Sequence, residues 1–502
     1  MPINPRTPVL IGQGQIVNRI ANLNEAREPV SLIAEAIQTA IADAEIASLR
    51  TVDALHVVRL LSWKYHNPAL SVAKRLGIHA HVTGITPHGG NMPQLLVNKV
   101  ASEIQGGELE IAIVAGGEAS NSRARAQREN YSLPWPRPDS DGNQTAPATV
   151  VDDAAMNSET EIARQIVLPV QVYPMFESAL RARAGRSLGD HENHIGRLWS
   201  RFSGVARTND FAWSKNGFTA EEILEVTPSN RMIGLPYRKL MNSNNQVDMA
   251  AALIVCSVEK ATQLGVPKSK WVFPISGTDC HDHYYVSNRH SLAETPAVRL
   301  GGKLACQLAE MSIDDFNLID LYSCFPSAVQ LGAQSLGLSI DRQLTITGGL
   351  SFAGGPWNNY VMHAIATMVT KLRRADDKPE HGFIWANGGY ATKHSFGIYS
   401  NSPSRNAYRH ASPQAEVDAL PKRELATAAE AATSLVGRAT IEAYTVMHDR
   451  DGKPETAIAS TLLGDSRRAW ATSKDPQVAA SLCSGEWVGR QVTLDSTGNL
   501  LP

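Results

Sequence analysis

The sequence predicts an α/β protein: two strand-and-helix halves, an irregular insert lodged in the first, and a small β-rich domain after the second. Three observations carry this. Short apolar runs alternate with helically periodic segments over residues 9–117 and again over 248–400, the pattern of parallel sheets with helical crossovers. Residues 122–245 lose that alternation and become rich in Arg, His and Trp. Past about residue 411, short β-type runs between turn residues replace it.

Each element has its own warrant. Val9-Leu10-Ile11-Gly12-Gln13-Gly14 reads as a buried strand, and Leu32, Ala36, Ile37, Ala40, Ile41 and Ala44 space a helix over about 27–47. Strands are expected over Asp53–Val58, Val82–Ile85 and Glu110–Val114, the last stopping at Gly116-Gly117, with a helix over Pro68–Leu76. The turn His88-Gly89-Gly90-Asn91 precedes a helix from Pro93 to about Gln105, proline standing at its first turn. The insert opens with a loop from Pro134 through Asp139–Gly142 and is mostly helical beyond it. The alternation resumes near Asp248 with the apolar run Ala250–Val255. A helix (about 291–310), the strand Leu318–Leu321, helices after Pro326 and at 358–373, and strands at 383–386 and 396–400 follow. After a connector (411–430), strands over Ala439–Val446, Thr456–Leu462, Arg468–Thr472 and Gln491–Leu494, with the hairpin turn Asp451-Gly452-Lys453-Pro454, form a small barrel-like unit. The division expected is 1–121 with 246–270, then 122–245, 271–410 and 415–502.

Composition narrows the function. A chain of 502 residues needs several units, and 43% hydrophobic with 19% charged residues is ordinary globular composition. A formal charge of −2 without a long basic run argues against nucleic acid or an anionic membrane as partner. No window approaches a membrane span. Five scattered cysteines (Cys256, Cys280, Cys306, Cys324, Cys483) with no CxxC imply free thiols and a cytoplasmic location. His281 and His283 mimic a metal pair but lack further ligands, so no metal and no tightly bound cofactor are expected.

Five segments occur in a telling order: Val114-Ala115-Gly116-Gly117-Glu118-Ala119, Asn242-Ser243-Asn244-Asn245-Gln246-Val247-Asp248, Tyr322-Ser323-Cys324-Phe325, Gly348-Gly349 through Gly354-Gly355-Pro356, and Asn387-Gly388-Gly389-Tyr390 through His394. In that order and spacing the chain resembles the thiolase superfamily over about residues 5–405, and more narrowly the sterol-carrier-type thiolases and thiolase-like proteins. The resemblance implies a thiolase-like fold of two βαβαβαββ-type halves and a site for coenzyme A or an acyl-CoA as ligand. It also implies a cysteine nucleophile at a helix start, where dipole and N–H groups stabilise a thiolate. Here that place falls in His88-Gly89-Gly90-Asn91, with Gly89 at the nucleophile's position. The histidine of the family's Gly-His-Pro triplet is matched by Gly355, and the Asn or His that opens the next motif by Tyr322.

The expectation is therefore a protein that binds CoA or acyl-CoA without classical thiolase activity. Cys324 keeps the family's second, proton-moving cysteine position. With Tyr322, Tyr390, His394 and His88 it makes up the candidate chemical set. Asn242, Ser243, Asn244, Gly89, Gly354 and Gly355 are candidates for ligand binding. Arginines of the insert (Arg181, Arg183, Arg186, Arg197, Arg201) could meet phosphates. Two alternatives stand beside this reading. One is an acyltransferase or retro-aldolase-type lyase using Tyr322, Tyr390, His394 or Cys324. The other is a non-catalytic carrier or partner-docking protein, for which the extra domain speaks. Either a homodimer or a monomer is compatible, because the added domain could alter the usual thiolase dimer.

Overall fold

The structure, a computed structural model, describes residues 3–136, 145–374, 379–427, 430 and 438–501. The loop expected through Asp139–Gly142 and the connector residues 428 and 429 lie outside the described residues.

Two helices bury most of their residues, Met92–Gly106 and Tyr360–Arg373. Burial on that scale needs cover on more than one side, and each of them touches both main sheets. The first sheet runs, in spatial order, Pro8–Val17, Asp248–Ser257, Ile111–Ala119, Thr51–Val57, His79–Ile85 and Ala148–Thr149. The second runs Leu318–Leu321, His381–Gly388, Lys393–Ser400, Phe273–His281 and Arg409–Ala411. Helix Pro29–Asp43 covers the outer face of the first sheet and Pro296–Ala309 that of the second. The result is helix, sheet, helices, sheet, helix.

Most boundaries match the sequence reading within a few residues. Pro68–Leu76 and Leu318–Leu321 match outright, and Pro29–Asp43 closely. One strand end differs in an informative way. Ile111–Ala119 does not stop at Gly116-Gly117, because its antiparallel pairing to Asp248–Ser257 continues to Ala119↔Asp248. A Cβ at Gly117 would press on Ala250 and Ile33. These glycines serve close packing inside a strand, not its termination. The strand Phe273–His281 was not legible in the sequence, nor was the helix Pro476–Cys483.

The C-terminal region is sheet-rich, as expected. Its strands run Arg468–Ser473, Pro454–Leu462, Arg438–His448, with Gln491–Thr493 beside the last. The ladder is open among the described residues, and it continues into two short insert strands, Met232–Gly234 and Tyr237–Arg238. A separate apolar cluster containing Ile441, Tyr444, Val446, Val478 and Leu482 fills this region. Among the described residues no helix is long and apolar enough to cross a membrane.

Candidate functional site

Two strand–turn–helix corners, one from each half, face each other across a cleft of about 380 Å3. In the first half, His79–Ile85 leads through Pro87-His88-Gly89-Gly90-Asn91 into Met92–Gly106. In the second, Leu318–Leu321 leads through Tyr322-Ser323-Cys324-Phe325 into Pro326–Leu336. Proline in the first turn of each helix gives up an N–H that had no intrahelical partner anyway.

The first corner carries no reactive side chain where the nucleophile was expected. Gly89 adopts φ +156°, a conformation that favours glycine. Its N–H donates to Asn358 Oδ1 at 3.0 Å, and Asn358 Nδ2 donates to the Arg59 carbonyl at 3.0 Å. A Cβ on Gly90 would run into the Tyr322 hydroxyl and the Asn387 carbonyl. Tyr322 thus fills the room left bare by the glycines. His88 is exposed at the rim, and burial lowers its pKa, with Arg59 adding to the effect.

The second corner is rigidly held. Glu177, fully buried, accepts from Tyr237 Oη at 2.5 Å and from Gln330 Nε2 at 2.6 Å. Tyr237 Oη in turn accepts from the Ser327 N–H at 3.1 Å, and Ser327 Oγ donates to the Tyr173 carbonyl at 2.9 Å. These bonds fix the helix start beside Cys324. Burial pushes the Cys324 thiol up to about 12, although the Tyr173 hydroxyl and the N–H groups of Cys324 and Phe325 pull it back. At neutral pH it is a thiol and holds its proton. The Tyr322 phenol is likewise raised, first by burial and then by Cys324, and its hydroxyl has no hydrogen-bond partner among the described residues.

Tyr390 reaches the cleft as well, but its hydroxyl is occupied: it donates to the Val167 carbonyl at 2.6 Å, with Asn157 Oδ1 at 3.2 Å. His394 lies elsewhere. Fully buried within its strand, it accepts from Trp385 Nε1 at Nδ1 (3.2 Å) and sits 3.3 Å from Asp282 through Nε2. Burial lowers its pKa against the opposing pull of Asp282.

Of the binding candidates, Gly89, Asn242 and Ser243 line the cleft, whereas Asn244, Gly354 and Gly355 stand behind it. The Gly355 N–H donates to the Asn244 carbonyl (2.9 Å) and the Asn244 N–H to the Leu350 carbonyl (3.1 Å), so the two loops are zipped together. A Cβ on Gly355 would meet Ser243 Oγ, which leaves no room for a histidine. Asn242 Oδ1 is buried without a partner. The insert arginines are partly engaged: Arg181 pairs with Glu486, Arg183 with Glu294, and Arg201 donates to the Ile340 carbonyl at 2.6 Å. His281 stacks on Tyr284 at 3.9 Å, and no group of three metal-ligating side chains gathers among the described residues.

Sequence reasoning missed Tyr173, Asn387 and Trp357. Tyr173 comes from the insert, stacks on Phe325 at 4.7 Å, and accepts from Asn387 Nδ2 (2.9 Å) and the Ala391 N–H (2.8 Å). A tyrosine inside a helical insert carries no signal for this. Trp357, 42% exposed at the cleft mouth, directly follows the Gly-Gly-Pro triplet and was legible in principle.

This fold, with its paired corners over a cleft, is that of the thiolase superfamily. It is shared with human mitochondrial 3-ketoacyl-CoA thiolase (16% identity, 80% of this chain and 100% of that one, TM-score 0.58). It is shared too with the Ltp2-ChsH2(DUF35) aldolase (18% identity, 80% and 99%, TM-score 0.57). Residues 414–499 match the additional C-terminal domain of thiolase-like protein type 1. The monomeric SCP2-thiolase-like protein type 1 of Mycobacterium smegmatis aligns over 100% of both chains at 31% identity and TM-score 0.83. The chain belongs to that family of type 1 SCP2-thiolase-like proteins. No curated protein matches it significantly.

Proposed function

We propose that the cleft binds coenzyme A or an acyl-CoA and does not carry out classical thiolase condensation. The observation behind this is the pairing of a bare first corner with a protonated second one. Gly89 and Gly90 offer no atom that could take up an acyl group, and the Cys324 thiol, raised to about 12, is a poor nucleophile at neutral pH. A cleft of about 380 Å3 with apolar walls and a few convergent amides suits a narrow ligand of mixed polarity. A human thiolase of the same fold is known in complex with CoA. In this reading Asn242, Ser243 and Gly89 contact the ligand, and Cys324 and Tyr322 face its reactive end. Titration calorimetry with CoA, acetyl-CoA and longer acyl-CoAs is expected to show saturable binding, and absence of heat with all of them would overturn the reading.

A second reading, carbon–carbon lyase chemistry, is favoured by Tyr322. Tyr322 lines the cleft, and its unpartnered hydroxyl stays a neutral phenol at neutral pH, placed to donate a hydrogen bond to the oxygen of a bound carbonyl or enolate. In a retro-aldol cleavage of a β-hydroxyacyl-CoA, the hydroxyl loses its proton as the bond breaks, and the thioester enolate gains one. A carbonyl product detected by mass spectrometry and lost in Tyr322→Phe would establish this activity. Its absence from the wild-type protein would leave binding alone. The free cysteines fit a cytoplasmic protein, and a monomer is proposed, to be tested by sedimentation.

A further inference from the structure

Two hydrogen-bonded paths run from the additional C-terminal domain to Tyr390 in the cleft wall. Both pass through the loop Val286–Arg289 of the second half. On the first, Trp470, buried in the additional domain, donates from Nε1 to Ser287 Oγ at 2.8 Å. The Ser287 hydroxyl and N–H both donate to Glu161 Oε1, at 2.5 and 2.9 Å. Glu161, buried, accepts through Oε2 from the Ser158 N–H (3.0 Å) and Asn157 Nδ2 (3.3 Å), and Asn157 also donates to the Ile166 carbonyl at 3.2 Å. Asn157 and Val167, which follows Ile166, are the residues that hold the Tyr390 hydroxyl.

The second path runs through arginines. Arg468, fully buried, is neutralised by Glu442 at 2.8 Å and donates from Nη1 to the carbonyls of Ser287 and Arg289, both at 2.7 Å. Arg289, also buried, donates from Nη2 to the carbonyls of Tyr390 (3.0 Å) and Ala391. Thus the hydroxyl of Tyr390 is tied to Trp470, and its backbone to Arg468. In between, the segment 157–170 ends in Leu168, Pro169 and Val170, which line the cleft beside Tyr390. Losing a partner of a buried carboxylate or guanidinium is costly, so the bonds of this relay hold its members to one arrangement.

We propose that the additional domain sets the shape of the cleft: Trp470, Ser287 and Arg468 are positioning residues that hold Tyr390 and the wall segment 157–170 in place. A domain that served only to dock a partner would need no such chain of buried bonds to the cleft wall. The relay itself does not depend on what the cleft binds; only its second readout rests on the CoA reading.

The test uses the full chain. Trp470→Phe keeps an aromatic ring and removes the donor, and Ser287→Ala cuts the same path outside the additional domain. Both are expected to speed amide hydrogen exchange of residues 157–167 by about ten-fold or more, while the strand Ile111–Ala119 keeps wild-type protection. Trp487→Phe, in the same domain but with its indole N–H donating to the Ser481 carbonyl, outside the relay, is the control and should leave 157–167 unchanged. If the wild type binds CoA, both relay variants should weaken it several-fold. If the wild type binds none, the CoA reading fails while the exchange data still decide the relay. Unchanged exchange at 157–167 in folded Ser287→Ala would overturn the proposal, as would an equal loss in Trp487→Phe. Should Trp470→Phe fail to fold, Ser287→Ala alone decides the matter.

Discussion

The two corners of the cleft share one local plan, a strand, a tight turn and a helix with proline in its first turn, yet they have opposite contents. The first presents Gly89 and Gly90; the second presents Tyr322 and Cys324. The difference is a single steric fact seen from two sides, because the Tyr322 hydroxyl stands where a Gly90 side chain would begin. The bare glycine corner and the phenol facing it depend on each other, and the backbone at Gly89 adopts a conformation that favours glycine.

The largest effect should come from forcing a side chain into the first corner. Gly90→Ala is expected to cost about 1–3 kcal/mol by overpacking, read from chemical denaturation. Adding Tyr322→Phe should return part of that cost, and a double-mutant cycle measures how much. A cost untouched by Tyr322→Phe would place the obstacle at the Asn387 carbonyl instead and break the link between the corners. Gly89→Cys combines backbone strain of about 1–3 kcal/mol with a Cβ pressed against Asn91 Oδ1, so no thiolase activity should return.

Comparable in size is a pH effect shared by the halves. Glu118 in the first accepts from the N–H groups of Leu61 and Ser62, each at 2.7 Å, and burial raises it to about 7. Asp320 in the second accepts from the Ile346 N–H (3.0 Å) and the Tyr360 hydroxyl (3.0 Å), and burial raises it to about 6. An acid raised on folding binds its proton more tightly in the native state. Its stabilising contribution is therefore complete below about pH 4 and is lost as pH rises through 6 for Asp320 and 7 for Glu118. Each contribution is on the order of 3 kcal/mol. Unfolding free energies of wild type minus Asp320→Asn, and wild type minus Glu118→Gln, should fall across that window. A flat difference for one would mean that its donors, rather than burial, dominate that half.

The layered fold was legible because helix and strand differ in period, and the period survives any context. Pro68–Leu76 and Leu318–Leu321 needed nothing beyond local pattern and turn residues. Gly116-Gly117 misled because a glycine pair signals a turn locally, whereas here a neighbouring strand and helix press too close for side chains. In the site, His88, Gly89, Tyr322, Cys324 and Tyr390 do converge on one cleft. His394 does not, since Trp385 and Asp282 claim both ring nitrogens. Tyr173 and the Trp470 relay were invisible because their partners, Asn387 and Ser287, lie 214 and 183 residues away in sequence, and no local pattern links them.

The smallest and most discriminating effect concerns the second corner's thiol. With Cys324 raised to about 12, its thiolate population at pH 7 is roughly 10⁻⁵ of the total, and alkylation is correspondingly slow. Half-buried Cys483 should therefore react with iodoacetamide before Cys324 does, followed peptide by peptide in mass spectra. Cys324 labelling should rise as pH climbs from 8 toward 11, without a change in native circular dichroism below about 10. Labelling of Cys324 ahead of Cys483 at pH 7 would show an ionised thiol at the helix start. The second corner would then carry a nucleophile where the first presents only glycines, with acyl transfer through Cys324 the reaction to look for.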